Sequence, residues 1–413
     1  MWVYCASVGA CPPVSKKGYP RPLQRPGAGL YSLWFSRHPC LPIPASAPNG
    51  HRDGWLREQG REGVAMGFIR NCWYAAAWSS EVQDQPCHAQ VIGEHLLLFR
   101  GEQGEMIALS DTCPHRFAPL HMGRIFGSTI ECPYHGLRFG ADGRCALNPF
   151  DPRTKLMAAR VSTYPVVERD RFVWVWMGDA ERADDSLIPD FPWLNQTEAF
   201  TMTGEHSMHQ PLNYELVLDN LMDLTHGQFL HPTTLGNEAI AGGVVKTRQD
   251  GNRIYSDRWN PDGDAPMLFV LPGVVKEGDR VDYWNEMRWD PPGAYYLEVG
   301  VTLTGRPRAE GGFLGSVHML TPMDDENCVY RYIVFRTFAP GSAEVTQALE
   351  GIAEHAFRQE DEPMIRAVQA RMAGRDFWEM KPLILKTDQA GILVRRTLDR
   401  LKAAEAAVRE ATR

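Results

Sequence analysis

The stretch CPHRFAPLHMGRIFGSTIECPYH, Cys113–His135, opens with a Cys and a His two apart and closes with a Cys and a His three apart. Sixteen residues separate His115 from Cys132. Thiolates suit soft ions and iron–sulfur sites, and imidazole suits zinc or iron. Four such donors can hold one structural zinc with mixed ligands. They can also hold a two-iron cluster, with two thiolates on one iron and two imidazoles on the other. The wide gap and the flanking residues favour the cluster. Pro114 and Pro133 stiffen the approach of each loop, and Gly123 and Gly136 let backbone come close to sulfur. His121 lies inside the span but outside the pattern and reads as structural.

The other cysteines bear on the compartment. There are nine, an odd number, spread thinly through 413 residues. That is not the dense framework of a small secreted domain, and it points to a reduced cytoplasm. Cys72, Cys87, Cys145 and Cys328 read as small hydrophobes. A net charge of −8 argues against a general nucleic-acid or anionic-membrane binder. No apolar run approaches the ~18 residues needed to span a bilayer.

Around the two loops the pattern is short strands with turn residues between them. HAQVIGEHLLLFRG, EMIALSD, LRFGADGRC and FVWVWMGD read as strands or hairpins, with Asp142-Gly143 expected to supply the left-handed positions of one turn. Beyond about 184 the elements lengthen. YELVLDNLMDLTHGQFLH reads as a helix, strands follow at 253–259, 281–289, 294–304, 313–320 and 328–337, and helices are expected near 343–373 and 388–410. In the last, Val394, Leu398 and Leu401 form an apolar stripe for packing on the core. Residues 1–65 differ: they hold nine of the 30 prolines and eight Lys/Arg against three Asp/Glu. They read as a poorly ordered extension or a mis-assigned start, with Met66 as the natural initiator. The expected division is 1–65, a first domain at 66–182 and a second at 183–413, the two domains folding as separate bodies.

CPHR followed by ECPYHGLRF resembles the Rieske domain of the Rieske non-heme iron oxygenases. Cys113, His115, Cys132 and His135 would then ligate a [2Fe-2S] cluster. Such a cluster stores one electron and does no chemistry on a substrate, yet 413 − 135 = 278 residues follow His135. An oxygen-activating centre needs two His and one carboxylate, and residues 219–231, DNLMDLTHGQFLH, offer the best candidate. Asp223 and His226 are three apart and would share a helix face. His231 is five from His226, so a regular helix would turn it away by about 140°. Both can reach one metal only if the helix bulges or ends between them, and Gly227 fits that need. This run resembles the mononuclear iron motif of the same oxygenases, most closely the vanillate demethylase and dicamba monooxygenase branch. The resemblance implies His226 and His231 as iron ligands, Asp223 as a bridge between centres, Asn220 beside the iron and Asp361 as third ligand, with Glu360 and Glu362 as acidic competitors.

The resemblance implies an α+β fold: an all-β Rieske domain, then a helix-grip catalytic domain with a curved antiparallel sheet on a long helix. It implies oxidative O- or N-dealkylation of a substituted aromatic, with O2 as co-substrate. No G-x-G-x-x-G fingerprint is present, so NAD(P)H would act only through a separate reductase, with or without a ferredoxin. It also implies a homotrimer in which Asp223 accepts hydrogen bonds from His226 and from the neighbour's cluster ligand. Asn285 and His318 resemble positions that contact a substrate carboxylate in the dicamba branch. Residues 265–273 depart from both relatives. The competing readings are a ring dioxygenase forming a cis-dihydrodiol and a Rieske electron carrier without catalysis.

Overall fold

In the computed structural model, residues 67–411 are described, apart from 154–155, 157, 233 and 236–242. The expectations for residues 1–65 and for Met66 lie outside these residues. Short apolar runs such as Trp73–Trp78, residues 96–99 and Phe172–Trp176, buried at every position, build the first part as small antiparallel sheets. One has the order β1 (Trp73–Trp78), β10 (Phe172–Trp176), β9 (Val166–Arg169), with β10 in the middle. A second is the meander β2 (Cys87–Val91), β3 (Glu94–Arg100), β4 (Met106–Ser110). A third holds the short strands β5 (Arg124–Phe126), β6 (Thr129–Glu131), β7 (Arg138–Gly140) and β8 (Cys145–Leu147). In the β7–β8 turn only Gly143 has a left-handed backbone (φ 74°). Asp142 does not share that conformation. A Cβ at Gly143 would stand 2.2 Å from the Val161 carbonyl oxygen, so space as well as φ demands glycine there.

The second part is an eight-stranded antiparallel sheet. Its order is β11 (Thr201–Met202), β18 (Cys328–Arg336), β17 (Gly312–Pro322), β16 (Ala294–Leu303), β15 (Arg280–Asp290), β14 (Arg253–Asp264), β13 (Val244–Asp250), with β12 (His206–Gln210) also on β18. Side chains alternate between faces along each strand. On one face Tyr283, Met287, Val299, Leu314, Tyr332 and Val334 pack against helices. On the other, Ala294, Tyr296, Val317, Met319, Ile333 and Phe335 pack against Trp73, Trp78, Trp174 and Trp176. The two parts are therefore not separate bodies, because one tryptophan-rich core belongs to both. Each large side chain buried there contributes about 1.5–3 kcal/mol. The junction is also hydrogen-bonded: Arg331 donates to the carbonyls of Ala75 (3.2 Å) and Ala76 (2.8 Å).

Among the described residues the α-helices are α1 (Tyr214–Met222), α2 (Gly227–Leu230), α3 (Met267–Val270), α4 (Ala343–His355), α5 (Glu362–Met372) and α6 (Gln389–Ala411). Asn213 caps α1 by accepting from the Glu215 N–H (2.9 Å). The buried Arg395 of α6 holds α6 to α1 through Glu215 (3.1 Å) and Asp219 (2.5 Å). Among the described residues no helix is long and apolar enough to cross a membrane.

Candidate metal centres and substrate pocket

The two Cys loops have the same backbone pattern. The Cys113 N–H donates to Ala118 O (3.0 Å) and the Phe117 N–H to Cys113 O (2.9 Å). At the same offsets the Cys132 N–H donates to Leu137 O (2.8 Å) and the Gly136 N–H to Cys132 O (3.0 Å). Each turn needs a left-handed residue at its fifth position, which is Phe117 (φ 59°) in one and Gly136 (φ 71°) in the other. Gly123 is required by the close approach of the two loops. A Cβ there would lie 2.0 Å from the Glu131 carbonyl, so this glycine lets the strand of the second loop pass the first.

Cys113 and Cys132 are buried among Leu97, Leu120, Ile130 and Leu137. His115 and His135 lie nearer solvent, their ring centroids 4.5 Å apart. The donors thus form a buried thiol pair and an outer imidazole pair, the arrangement a two-iron cluster requires. Burial pushes the Cys113 thiol above its usual pKa, and the neighbouring Cys132 adds to the shift. A cation would reverse that preference. His135 Nδ1 is buried and has no hydrogen-bond partner among the described residues, as a ring nitrogen reserved for a metal would be.

The second centre forms where helices are interrupted. After α1 the chain makes a 3-10 turn, Leu224–His226, before α2 begins at Gly227. Asp223 caps that turn, its Oδ1 accepting from the Thr225 N–H (2.9 Å) and hydroxyl (2.5 Å). His226 Nδ1 meets the backbone carbonyl of Asp223 rather than its carboxylate, contrary to the expected side-chain contact. Gly227 is ordinary right-handed helix (φ −54°) on the pocket wall, so the break comes from the 3-10 turn and not from glycine freedom. His231 follows the last residue of α2.

Asp361 comes from a second interruption. The expected continuous helix at 343–373 is split by a π-helical segment, Ala356–Asp361, between α4 and α5. Such segments re-aim side chains, often at functional sites. Here Glu360 and Asp361, adjacent in sequence, both reach His231. Asp361 Oδ1 lies 3.2 Å from His231 Nε2 and 3.5 Å from His226 Nε2, and the two imidazole nitrogens are 3.2 Å apart. Three donors converge on one point with the spacing of ligands on one metal bonded at about 2.0–2.2 Å. Glu360 takes the other face of His231, Nδ1 to Oε2 2.8 Å, and also accepts from the Thr234 hydroxyl (2.6 Å). Glu362 points away and pairs with Arg366. Asn220 donates to Asp361 Oδ1 (2.9 Å). Burial alone would lower the His231 pKa, but Asp361 and Glu360 outweigh it and raise it.

Beside these residues lies a pocket of ≈ 140 Å³. That is close to the about 150 Å³ known to hold a benzene ring. Its wall is the helix-facing side of the sheet, including Met287, Leu297, Val299, Leu314 and Val334, closed by Leu268, Leu349 and Phe357. Among the described residues no Lys or Arg lines it. Asn285 and His318 both do. Asn285 Nδ2 donates to the Tyr283 hydroxyl (3.2 Å), and its Oδ1 has no partner among the described residues. His318 already has Ser316 Oγ on Nε2 (2.8 Å) and the Tyr330 hydroxyl on Nδ1 (2.7 Å). Burial drives its pKa down to about 3, so the ring is neutral. Tyr283, Ser316 and Leu268 were not singled out from sequence. Leu268 does fall in 265–273, whose departure from both relatives left its contribution unread.

Two family models match the chain: the Rieske [2Fe-2S] domain at residues 72–165 and the vanillate O-demethylase oxygenase C-terminal domain at 212–404. The chain is 37% identical to the oxygenase component of chloroacetanilide N-alkylformylase from Rhizorhabdus wittichii, over 80% of this chain and 95% of that protein. It is 32% identical to the oxygenase component of dicamba O-demethylase from Stenotrophomonas maltophilia, over 83% and 100%. It is 33% identical to a vanillate O-demethylase oxygenase subunit from a Pseudomonas species, over 82% and 96%. The crystal structure of dicamba monooxygenase bound to dicamba superposes with a TM-score of 0.76 at 32% identity, covering 83% of this chain and 99% of that one.

Proposed function

Since the chain belongs to the Rieske non-heme iron oxygenases, as an oxygenase component of the vanillate O-demethylase type, we propose that it dealkylates a substituted aromatic at nitrogen or oxygen. The observation that carries this reading is the convergence of His226, His231 and Asp361 beside an apolar pocket sized for one aromatic ring. In this reading Cys113, His115, Cys132 and His135 hold the [2Fe-2S] cluster, and His226, His231 and Asp361 hold the iron. When bound, the cluster relays single electrons and the iron activates dioxygen.

The protein's own groups do the rest. Glu360 fixes the ring orientation of His231 and raises its basicity, as partners of metal-bound imidazoles do. Asn220 holds the Asp361 carboxylate from the pocket side. The apolar wall excludes water and keeps the ring against the site. Asn285 offers an unpaired acceptor, and the neutral His318–Tyr330 pair offers dipoles rather than a charge. This combination suits a substrate oriented by hydrogen bonds over apolar contact. Hydroxylation of the attached alkyl carbon gives a hemiaminal or hemiacetal, which collapses to amine or phenol plus an aldehyde.

Electrons come from a separate reductase, with or without a ferredoxin, in the cytoplasm. We place the cluster of one subunit against the iron of the next in a head-to-tail ring, which closes as a trimer. Exposed Phe117 and Tyr134 on the cluster loops and exposed Phe229 beside the iron residues support that contact. Asp223, two residues past Leu221 of the pocket wall, would bridge the junction.

The test is oxygen uptake with a reductase and NADH against methoxylated and N-alkylated aromatics, with aldehyde detection. Stoichiometric aldehyde supports dealkylation. A cis-dihydrodiol product would make the enzyme a ring dioxygenase, and no substrate-dependent uptake would make it an electron carrier.

A further inference from the structure

His121, which the cluster motif leaves unused, belongs to a second group of donors on the Rieske part. The sequence disperses this group and the fold assembles it. His88 lies on β2 and His95 on β3, with Gln90 opposite His95 and Leu97 opposite His88 in the hairpin register. Alternation puts His88, His95 and Leu97 on the face turned toward the Cys loops, where Leu97 packs in the same core as Cys113 and Cys132. Asp111 follows β4, its N–H donating to His95 O (2.9 Å) and its carbonyl accepting from Leu120 N (2.9 Å). Those bonds bring the hairpin end, Asp111 and the turn carrying His121 to one place.

The side chains converge there. The Asp111 carboxylate is buried, at 3% exposure. Its Oδ1 accepts from the His121 N–H (2.7 Å), and its Oδ2 lies 2.5 Å from His121 Nδ1 and 4.0 Å from His88 Nε2. The His88 and His121 rings stand 4.8 Å apart by centroid. His95 Nδ1 lies 3.0 Å from His88 Nε2 on the other side. One donor atom each from His88, Asp111 and His121 falls within 4.8 Å of the others. Ligands about 2.0–2.2 Å from a tetrahedral zinc stand roughly 3.4 Å apart, so small side-chain rotations close the set.

We propose that His88, Asp111 and His121 form a binding site for a divalent transition ion of the zinc class, separate from both iron centres. Two imidazoles and one carboxylate are zinc donors, and a half-exposed position leaves the fourth place to water or to His95. A buried carboxylate needs a positive partner, and a divalent ion supplies one while leaving the imidazoles neutral. The ion would tie the β2–β3 hairpin to the residues that lead into the first Cys loop. It would thus clamp the scaffold of the cluster without touching its ligands.

The test uses the full chain with its cluster and iron in place, titrated with ZnCl2 in a calorimeter and then analysed for metal after desalting. One tight zinc per chain is expected in addition to the native iron. His88→Ala and His121→Gln should each weaken it at least about tenfold, while the iron content of both variants should stay at the wild-type level. A crystal soaked in ZnCl2 should show a zinc-edge anomalous peak between β2 and the His121 turn, a readout that needs no variant. Zinc that binds equally well to the His88→Ala protein, or an anomalous peak only at His226 and His231, would overturn the proposal.

Discussion

Glu360 gives the sharpest discrimination among the three consecutive acids at 360–362. In the structure it accepts from His231 Nδ1 at 2.8 Å and from the Thr234 hydroxyl at 2.6 Å, while Asp361 alone faces the two Nε2 atoms. Thr234 and His231 hold the Glu360 carboxyl below its usual pKa against an opposing burial effect, so it is ionised. A charge-assisted hydrogen bond is worth about 1.5–3 kcal/mol. Glu360→Ala removes it and frees the His231 ring to turn. At 1.4 kcal/mol per decade, iron affinity should fall about 10–100-fold, the usual range for such partners. Glu360→Gln keeps an acceptor oxygen but loses the charge, and should cost about tenfold or less. Asp361→Ala should abolish iron binding while the visible spectrum of the cluster persists. Glu362→Gln disturbs only an exposed i,i+4 pair, worth less than about 0.5 kcal/mol, and should change nothing. The assay is Fe(II) titration against a competing chelator, with cluster content followed by absorbance. Wild-type iron affinity in Glu360→Ala, or iron loss in Glu362→Gln, would refute the assignment of ligand and support.

Purified protein should contain three irons and inorganic sulfide per chain. Zinc without sulfide at Cys113, His115, Cys132 and His135 would instead make that centre a structural zinc site. Gly123→Ala should lower cluster occupancy sharply, because the added methyl meets backbone 2.0 Å away; full occupancy with an unchanged melting point would contradict it. The His318 pKa is depressed to about 3 in the fold, so its share of stability is present above pH ~6.5 and lost as pH falls toward 3, at ~1.4 kcal/mol per unit. His318→Gln should remove that slope, and parallel urea-stability profiles for variant and wild type between pH 7 and 5 would count against it. Asp223→Asn should leave both metals bound and cluster reduction normal while reoxidation by oxygen plus substrate stalls; wild-type turnover would exclude the bridging role.

What could be read from sequence was what is local. Cys113-x-His115 and Cys132-x-x-His135 display their donor pattern within a few residues, and the strands beside them are short apolar runs bounded by turn residues. The pocket was legible only in part, for a physical reason. β15 is buried at nearly every position from Val281 to Asp290, so polar and apolar faces cannot be told apart by pattern. One face meets the helices and the other meets the tryptophans of the Rieske part. Tyr283, Asn285 and Met287 therefore look no different from Trp284 and Trp289 until the partner of each face is known. The π-helical segment was equally silent, because residues 343–373 read as one uninterrupted helix. The shared core of the two parts was hidden too, since Trp73 and Val317 are far apart in the chain.

The interruptions are where local structure yields to the site. A regular helix points neighbouring residues about 100° apart and cannot aim Glu360 and Asp361 at the same imidazole. Nor can it put His226 and His231 on one face. Each departure from the α pattern, the 3-10 turn at 224–226 and the π segment at 356–361, gives up some ideal hydrogen bonding along the backbone. What they assemble is two imidazole nitrogens and a carboxylate oxygen, mutually 3.2–3.5 Å apart. Three acceptors so close repel one another unless a proton or a metal ion lies between them. Cation binding and the order of these two segments are therefore one equilibrium. Glu360, itself held by Thr234, biases it by fixing His231, and Asn220 by donating to the Asp361 oxygen that faces both imidazoles, so the unfavourable local geometry is kept where these groups converge.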